Sequence, residues 1–351
     1  MKVGVRGRVL AVCLVVVCGV GAGWGATKKT LTVAADGSGD FKDVQAAVDS
    51  APEGNLVVKI KPGTYQKLIN ITTPGVELRG MGRQPQDVVL TFKNSHAMVN
   101  GTWKSASVMV SGDDFLAENL TMENSFEREH PKPGPNAQAV ALFATGDRQV
   151  YRHVRFIGYQ DTLYADSKTC HLAPAQQGGV PLPAGEAPPA CAAARQSYED
   201  CYIEGHVDFI FGDAKAVFKN CEIHALAHSM DTLTAQSKVY PAEDSGYLFL
   251  DCTVTGEEGA VNILMGRPWR AYSTVVFVNT DFKAKLNPAG WQEWGGRLTN
   301  AYYAEYKSHG DAGDVAQRLE GTHVLSKDEA AKYTVKFWVS GKDGWDPAKV
   351  K

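Results

Sequence analysis

A six-residue pattern of apolar and polar positions recurs along the middle of the chain. It has an apolar residue first and last, usually an Asn, Asp or His third, and a small or apolar residue fourth. The pattern occurs six times, as AENLTM from Ala117, YRHVRF from Tyr151, YEDCYI from Tyr198, FKNCEI from Phe218, FLDCTV from Phe249 and FVNTDF from Phe277. Alternation of this kind is typical of a β-strand with one buried face.

The spacing of these hexapeptides indicates the architecture. Their first residues are 34, 47, 20, 31 and 28 residues apart along the sequence. The shortest interval is close to one coil of a parallel β-helix, and longer intervals are coils that carry loops. We therefore predict an all-β chain folded as a single-stranded parallel β-helix. A β-sandwich of similar strands is the alternative, although a sandwich does not require one register in every strand.

A short helix is predicted before the first strands of the repeat. In the stretch DGSGDFKDVQAAVDSAP, the apolar residues Val44, Ala47 and Val48 have helical spacing, and Pro52 follows them. Solenoid folds need their open ends covered. We expect this helix to cap the N-terminal end of the core.

A different composition marks an inserted loop from Lys168 to Gln196. The segment is rich in Pro, Ala and Gly, and Cys170 and Cys191 lie within it. A disulfide between these two cysteines would close the loop.

The N-terminus predicts export. Basic residues precede the apolar run VLAVCLVVV, and the small residues of GAGWGA follow it, which is the pattern of a signal peptide. We assign residues 1–26 to the signal and 27–351 to one folded domain, secreted or periplasmic; a membrane anchor is the alternative. The net charge of −3 offers no basic field for nucleic acid.

Three cysteines share one position of the repeat. Cys201, Cys221 and Cys252 are each the fourth residue of a hexapeptide. Neighbouring parallel strands lie about 4.8 Å apart, which is within the range that a disulfide can span. A ladder of buried free thiols fits the same spacing equally well.

Two aspartates follow two of the hexapeptides in parallel. Asp161 lies in GYQDTLY and Asp208 in GHVDFIFG, which predicts equivalent positions on adjacent coils with backbones about 5 Å apart. Because two carboxylates this close do not both ionise easily, we expect one pKa to rise and the other to fall. Such a pair suits an acid working with a nucleophile, but also a retaining glycosidase or a structural ladder of aspartates.

Other polar residues could complete a site around this pair. The side-chain amides of Gln160 and Gln138 are neutral donors suited to a developing oxyanion. Arg267, in GRPWR, offers a fork that matches a carboxylate, and Trp269 offers a flat face suited to a sugar ring.

These residues resemble those of a known family, the pectin methylesterases or pectinesterases. The motifs that carry the resemblance are ADGSGDF, GTY, QAVAL, GYQDTLY, VDFIFG, GRPW, GWQEW and AEYKSHG, in the family's order. The resemblance implies a right-handed parallel β-helix and hydrolysis of the C6 methyl esters of polygalacturonate, with methyl-esterified pectin as substrate. It implies a monomer with no metal or organic cofactor.

The resemblance also implies a role for each matching residue. Asp208 matches the nucleophile, Asp161 the acid that protonates methanol and then acts as base, and Gln160 the oxyanion stabiliser. Arg267 matches the residue that orients and charges Asp208. Gln138, Trp269 and Thr102 match substrate contacts. The family's usual cysteine pair matches Cys221 and Cys252, so the resemblance favours a disulfide there.

His206 is one of the departures from the family's pattern, and other functions remain open. His206 stands where the family usually has Thr, and we interpret it as a substitution without a role rather than as a group that tunes the charge of the cleft. A pectin depolymerase, either glycosidase or lyase, is the alternative function on the same fold. A non-catalytic polysaccharide-binding β-helix is a third.

Overall fold

The computed structural model describes Met1 and residues 28–168 and 193–351, and short strands make up most of this part of the chain. The described strands are β1 (Lys29–Val33), β2 (Leu56–Ile60), β3 (Gly63–Gln66), β4 (Ile69–Ile71), β5 (Val76–Gly80), β6 (Val88–Phe92), β7 (Val108–Val110), β8 (Leu116–Asn124), β9 (Leu142–Ala144), β10 (Gln149–Ile157), β11 (Leu163–Ala165), β12 (Arg195–Glu199), β13 (Tyr202–Gly205), β14 (Ile210–Gly212), β15 (Lys215–Lys219), β16 (Glu222–Ala225), β17 (Thr234–Gln236), β18 (Gly246–Leu250), β19 (Thr253–Gly256), β20 (Thr274–Val278), β21 (Asp281–Phe282), β22 (Tyr302–Tyr306), β23 (His309–Gly310) and β24 (His323–Val324). The described helices are α1 (Val44–Asp49), α2 (His96–Val99), α3 (Phe126–Glu129), α4 (Lys327–Ala330) and α5 (Val335–Val339).

The strands form two long sheets in which neighbours run parallel. One sheet has 18 strands, and the other has six in the order β17-β14-β11-β9-β7-β4. Each coil adds one strand to the smaller sheet, so the chain climbs by one strand spacing per turn. This is the predicted parallel β-helix, with the right-handed sense that crossovers between parallel strands adopt.

The register of the larger sheet confirms the hexapeptide alignment. The first residues of the six hexapeptides pair across neighbouring strands without a shift: Ala117 with Tyr151, Tyr151 with Tyr198, Tyr198 with Phe218, Phe218 with Phe249, and Phe249 with Phe277. The repeat therefore reflects stacking of equivalent positions and not merely strand alternation.

The third position of each hexapeptide is a bend in the coil. All six residues there have left-handed backbone, with φ between 49° and 55°: Asn119, His153, Asp200, Asn220, Asp251 and Asn279. Asn and Asp tolerate this conformation better than most residues because their short polar side chains bond locally. This preference explains why the repeat carries a polar residue between two apolar ones.

Aromatic rings stack inside the coil along the first column of the repeat. The rings of Tyr151, Tyr198, Phe218, Phe249 and Phe277 follow one another with centroids 4.3 to 4.8 Å apart and interplanar angles of 6° to 10°. All five side chains are fully buried. Ring packing of this kind adds to the free energy gained by removing apolar surface from water.

The predicted N-terminal helix is present as α1. The side chain of Asp43 accepts a hydrogen bond from the N–H of Ala46, which caps the helix. Val44, Ala47 and Val48 are buried and belong to the main core cluster. Their spacing along the helix places them on the face that covers the end of the core.

The other described helices of note lie near the C-terminus, where α5 packs on the outside of the larger sheet. The indole N–H of Trp338 donates to the carbonyl of Ala216 at 2.9 Å, and Trp338 and Val339 join a second apolar cluster with Leu248.

None of the described helices has both the length and the apolarity needed to cross a membrane.

The three stacked cysteines are free thiols, so the disulfide between Cys221 and Cys252 is wrong. Each sulfur donates to the carbonyl of a residue one coil away, with Cys221 reaching Tyr198 and Cys252 reaching Phe218, both at 3.4 Å. Burial raises the pKa of the Cys221 and Cys252 thiols well above the ordinary value, which keeps them protonated. Stacking brings the three thiols close together without a bond between them. They form the ladder of buried free thiols that the sequence left open as the alternative to a disulfide.

Two predictions fall wholly or partly outside the described residues. The predicted signal peptide lies almost wholly in a segment that is not described, and the predicted disulfide between Cys170 and Cys191 lies outside the described residues. The loop predicted to end at Gln196 ends earlier, because β12 begins at Arg195.

We expect the ring column to carry a large share of the stability. Replacing Phe249 with Ala leaves a cavity between two stacked rings and should lower the free energy of unfolding by about 3–5 kcal/mol. The matched control is Phe337→Ala, since Phe337 is 60% exposed; its effect should stay within about 0.5 kcal/mol. Urea denaturation of both variants measures the difference, and equal losses would contradict this account of the core.

We expect the thiols of the column to be unreactive until the chain unfolds. Cys201, Cys221 and Cys252 should be alkylated by iodoacetamide only in denaturant, because each is at most 2% exposed. Peptide mapping without reductant measures this, and a peptide cross-linked between Cys221 and Cys252 would disprove the ladder.

Candidate active site

The two predicted aspartates lie at equivalent positions on adjacent coils. β11 pairs with β14, with Leu163 opposite Ile210, so the residues two positions earlier, Asp161 and Asp208, match as well. The main-chain N–H of Asp161 donates to the carbonyl of Val207 at 3.1 Å. Both aspartates have left-handed backbone, with φ of 64° and 52°. The register thus places the two aspartates at equivalent positions on adjacent coils, as the sequence predicted.

Glycine is required at both ends of the stretch GHVDFIFG. A Cβ atom on Gly205 would lie 2.4 Å from the carbonyl oxygen of Tyr159, and one on Gly212 would lie 2.1 Å from that of Ala165. Gly212 also has a φ of 113°, which side chains rarely allow. Close approach of the neighbouring coil therefore fixes both glycines and, between them, the turn that carries Asp208.

Asp208 is nearly buried, 8% exposed, and is paired with Arg267. The Nε and Nη2 atoms of Arg267 donate to the two carboxylate oxygens at 2.8 and 2.7 Å. From the sequence we expected this partner to depress the pKa of Asp208. The pKa is instead raised, because burial outweighs the hydrogen bonds and charge of Arg267. The guanidinium therefore limits the rise of the pKa and does not reverse it.

Asp161 has the more strongly raised pKa, as expected for the second carboxyl. Burial is the main cause, the negative charge of Asp208 adds to it, and the charge of Arg267 opposes it. Asp161 is nevertheless partly exposed to solvent. Asp161 is therefore the weaker acid of the two, and Asp208 is the one that is paired with the guanidinium.

Arg267 is itself held from three sides. Its main-chain N–H donates to the carbonyl of Thr234 at 3.0 Å, and its Nη1 lies 3.5 Å from Oε1 of Gln292. The ring of Trp294 lies against the guanidinium, with the central carbon 4.1 Å from the ring centroid. Sequence reasoning did not assign Trp294 to the site; its place in the motif GWQEW was the available signal.

The two predicted amides lie on the same side of the coil as the aspartates. Gln138 and Gln160 are both partly exposed, and the N–H of Ala139 donates to the carbonyl of Gln160 at 3.2 Å. The side-chain oxygen of Gln138 is buried and has no hydrogen-bond partner among the described residues. A buried amide oxygen left unpaired in this way can accept a hydrogen bond from a ligand.

Trp269 ends a row of aromatic rings on the smaller sheet. Neighbouring centroids are 6.2, 4.7, 4.1 and 5.9 Å apart in the order Trp103, Phe143, Tyr164, Phe211 and Trp269. The guanidinium of Arg270 lies 4.5 Å from the centroid of Trp269. Tyr164 and Phe211 in the row are buried, whereas Trp103, Phe143 and Trp269 are at least partly exposed.

Thr102 is the predicted residue with the weakest structural link to the aspartates. Its hydroxyl is 2.9 Å from Nδ1 of His96, and its carbonyl accepts from the hydroxyl of Ser105 at 2.6 Å. These contacts are made with its own loop. Thr102 is joined to the aromatic row only through the next residue, Trp103, which is 42% exposed.

His206 is built into a cluster of polar side chains beside Asp208. Its Nε2 lies 3.0 Å from Oε1 of Glu127, and its ring stacks on His228 with centroids 4.3 Å apart. Burial raises the pKa of the neighbouring Asp231 to about 6. Glu127 and His228 were not predicted, since no sequence motif links them to Asp208.

A model of the pectinesterase family matches residues 30–178 and 191–342. The chain belongs to the pectinesterase family. Pectinesterase 31 of Arabidopsis thaliana is 33% identical over 323 residues, which are 88% of this chain and 91% of that relative. Several other plant relatives are longer, and the chain spans between 42% and 65% of their length. Members of this family are carboxylic ester hydrolases.

Solved structures of pectin methylesterases share the fold. The enzyme from carrot is 28% identical with a TM-score of 0.76, covering 91% of this chain and 95% of its own. A pectin methylesterase in complex with a hexasaccharide is 26% identical with a TM-score of 0.71, covering 92% and 99%. The pectinesterase fold therefore extends over nearly all of the described chain.

No resident metal site is evident in residues 28–168 and 193–351, where no three His, Cys, Asp or Glu side chains are grouped to hold an ion.

Proposed function

We propose that this chain hydrolyses the C6 methyl esters of polygalacturonate, releasing methanol and leaving de-esterified pectin. The observation that carries the proposal is the forked pairing of Arg267 with Asp208 beside Asp161, whose pKa is the more strongly raised. One carboxylate is available for attack and one carboxylic acid for proton donation. Family membership and the printed names of the relatives, pectinesterase and pectin methylesterase, support the substrate.

In the first half of the proposed reaction, Asp208 is the nucleophile. A carboxylate oxygen attacks the ester carbonyl carbon and forms a tetrahedral oxyanion. The side-chain amide nitrogens of Gln160 and Gln138 donate to that oxygen. The carbon–methoxide bond then breaks, Asp161 transfers its proton to the departing oxygen, and methanol leaves.

In the second half, Asp161 acts as the base. Now ionised, it takes a proton from water, and the resulting hydroxide adds to the carbonyl carbon of the covalent intermediate. The bond to Asp208 breaks, which frees the galacturonic acid unit and restores the Asp208 carboxylate to Arg267. Asp161 is protonated again, so the cycle consumes one water and returns both residues to their starting states.

The substrate chain is proposed to lie along the aromatic row. Trp269 offers a ring face to a sugar, and Thr102 supplies a polar contact from the loop beside Trp103. A solved family structure holds a hexasaccharide, so an extended binding surface suits the family. The substrate would be met outside the cytoplasm, and we propose that the chain is exported and acts as a monomer without a cofactor.

A depolymerase remains the alternative to test on the same samples. Two neighbouring carboxyls also suit a retaining glycosidase. That enzyme would create new chain ends and lower the viscosity of pectin without releasing methanol. Methanol release with unchanged viscosity supports the esterase, and the converse result would replace it.

We expect Asp208→Asn to abolish methanol release from methylated pectin. The amide is a poor nucleophile, and loss of the covalent route should lower kcat by at least about 1,000-fold. The control is Asp200→Asn, because Asp200 also has left-handed backbone, with φ of 52°, but lies exposed on the larger sheet. Its rate should match the wild type; an active Asp208→Asn enzyme would refute the mechanism.

We expect Arg267→Gln to move the pH–rate profile to higher pH. Arg267 lowers the pKa of both aspartates against burial, so removing its charge raises both values. Because Asp208 must be ionised for attack, the acid limb of the profile should move to higher pH by about one unit or more. Because Asp161 must be protonated to donate a proton, the basic limb should move to higher pH as well.

The control for this shift is Arg297→Gln. The guanidinium of Arg297 also lies over Trp294, at 5.4 Å, but it is absent from the charges that shift the two aspartates. Its profile should keep both limbs in place. A downward shift in Arg267→Gln, or the same shift in both variants, would contradict the assigned electrostatics.

A further inference from the structure

The side chain of His206 makes two hydrogen bonds that fix its tautomer. Nδ1 accepts from the main-chain N–H of Val207 at 2.8 Å, so Nδ1 carries no proton. The proton is therefore on Nε2, which donates to Oε1 of Glu127 at 3.0 Å. His206 is 6% exposed, and its partner carboxylate is 14% exposed, so water competes little for these bonds.

The residue that His206 holds lies between the two aspartates. Val207 directly precedes Asp208, and its carbonyl accepts the main-chain N–H of Asp161 at 3.1 Å. Val207 is therefore joined to the main chains of both aspartates, and the hydrogen bond to the His206 ring holds the N–H of Val207 in place. Because Asp161 and Asp208 have left-handed backbone, their side-chain directions depend on such external support.

The imidazole is itself held in place. Its ring stacks on His228 with an interplanar angle of 22°, and Tyr159 lies on the preceding coil with its ring centroid 6.0 Å away. The main-chain N–H of His206 donates to the carbonyl of Tyr159 at 3.0 Å. Glu127 comes from α3, 79 residues earlier in the chain. Its contact with His206 therefore connects α3 to the turn that carries Asp208.

We propose that His206, with its proton on Nε2 and held by Glu127, is a positioning residue for Asp208 and Asp161. The inference rests on the proposed esterase function. His206 does not reach the reacting atoms; it acts through the Val207 main chain. Its loss should therefore lower kcat and leave KM nearly unchanged, since small displacements of reacting groups affect rate more than binding.

Two substitutions separate the two hydrogen bonds of the ring. In His206→Asn, the side-chain oxygen takes the place of Nδ1 and still accepts from Val207, but the contact with Glu127 is lost. In His206→Gln, the amide nitrogen reaches toward Glu127, but no acceptor remains for Val207. We expect kcat for methanol release to fall about 10- to 100-fold in His206→Gln and only about threefold in His206→Asn, with KM within about twofold in both.

The matched control is His224→Gln, because Nδ1 of His224 bonds Oγ1 of Thr255 at 2.7 Å on the larger sheet. Its kcat should be unchanged. Equal losses in His206→Asn and His206→Gln, or a change in KM alone, would overturn the proposal. If His206→Gln does not fold, Glu127→Ala decides, since it should lower kcat without changing KM; an unchanged kcat would overturn the proposal.

Hydrogen exchange of the Val207 amide tests the same bond without any turnover. Exchange should accelerate in His206→Gln but not in His206→Asn, and equal exchange in the two would overturn the proposal. If the wild type releases no methanol, the esterase function fails by that result alone. The exchange measurement would then still decide whether His206 holds Val207.

Discussion

In-register stacking of parallel strands is the constraint from which the other features of this molecule follow. Each coil repeats the one before it about 4.8 Å away, so a residue lies over its equivalent in the next coil. The same rule produces the column of rings, the column of thiols and the column of left-handed bends. It also produces the pairing of Asp161 with Asp208, with Leu163 opposite Ile210 in the strands that follow.

Stacking has opposite consequences for apolar and charged side chains. For Phe218 and Phe249 it brings two flat faces to 4.5 Å, which is favourable. For two aspartates it brings like charges together in a partly dry environment, which is unfavourable unless one is neutral. The single guanidinium of Arg267 pairs with Asp208 by two hydrogen bonds. The charge is then balanced only if Asp161 keeps its proton, and this is the state that the proposed acid role needs.

The sequence was a good guide wherever register alone decides the answer. The hexapeptide alignment predicted the strand pairs, and the matching motifs GYQDTLY and GHVDFIFG predicted which aspartates meet. It was a poor guide where the outcome depends on burial or on side-chain direction. The net rise in the pKa of Asp208 depends on the depth of the turn, and Cys221 and Cys252 are stacked but bonded to carbonyls. Glu127 joins the site from a loop whose sequence carries no recognisable link to Asp208.

The backbone explains why these two positions suit aspartate rather than glutamate. Asp161 and Asp208 have φ of 64° and 52°, in the same left-handed region as the Asn and Asp bends of the larger sheet. Residues with longer side chains adopt this conformation at a cost of about 1 kcal/mol or more. The short aspartate stem also has one fewer rotatable bond, so the main chain places its oxygens closely. A fold built from left-handed bends thus favours the short carboxylate, and stacking two such bends places the proposed acid and the proposed nucleophile at equivalent positions on adjacent coils.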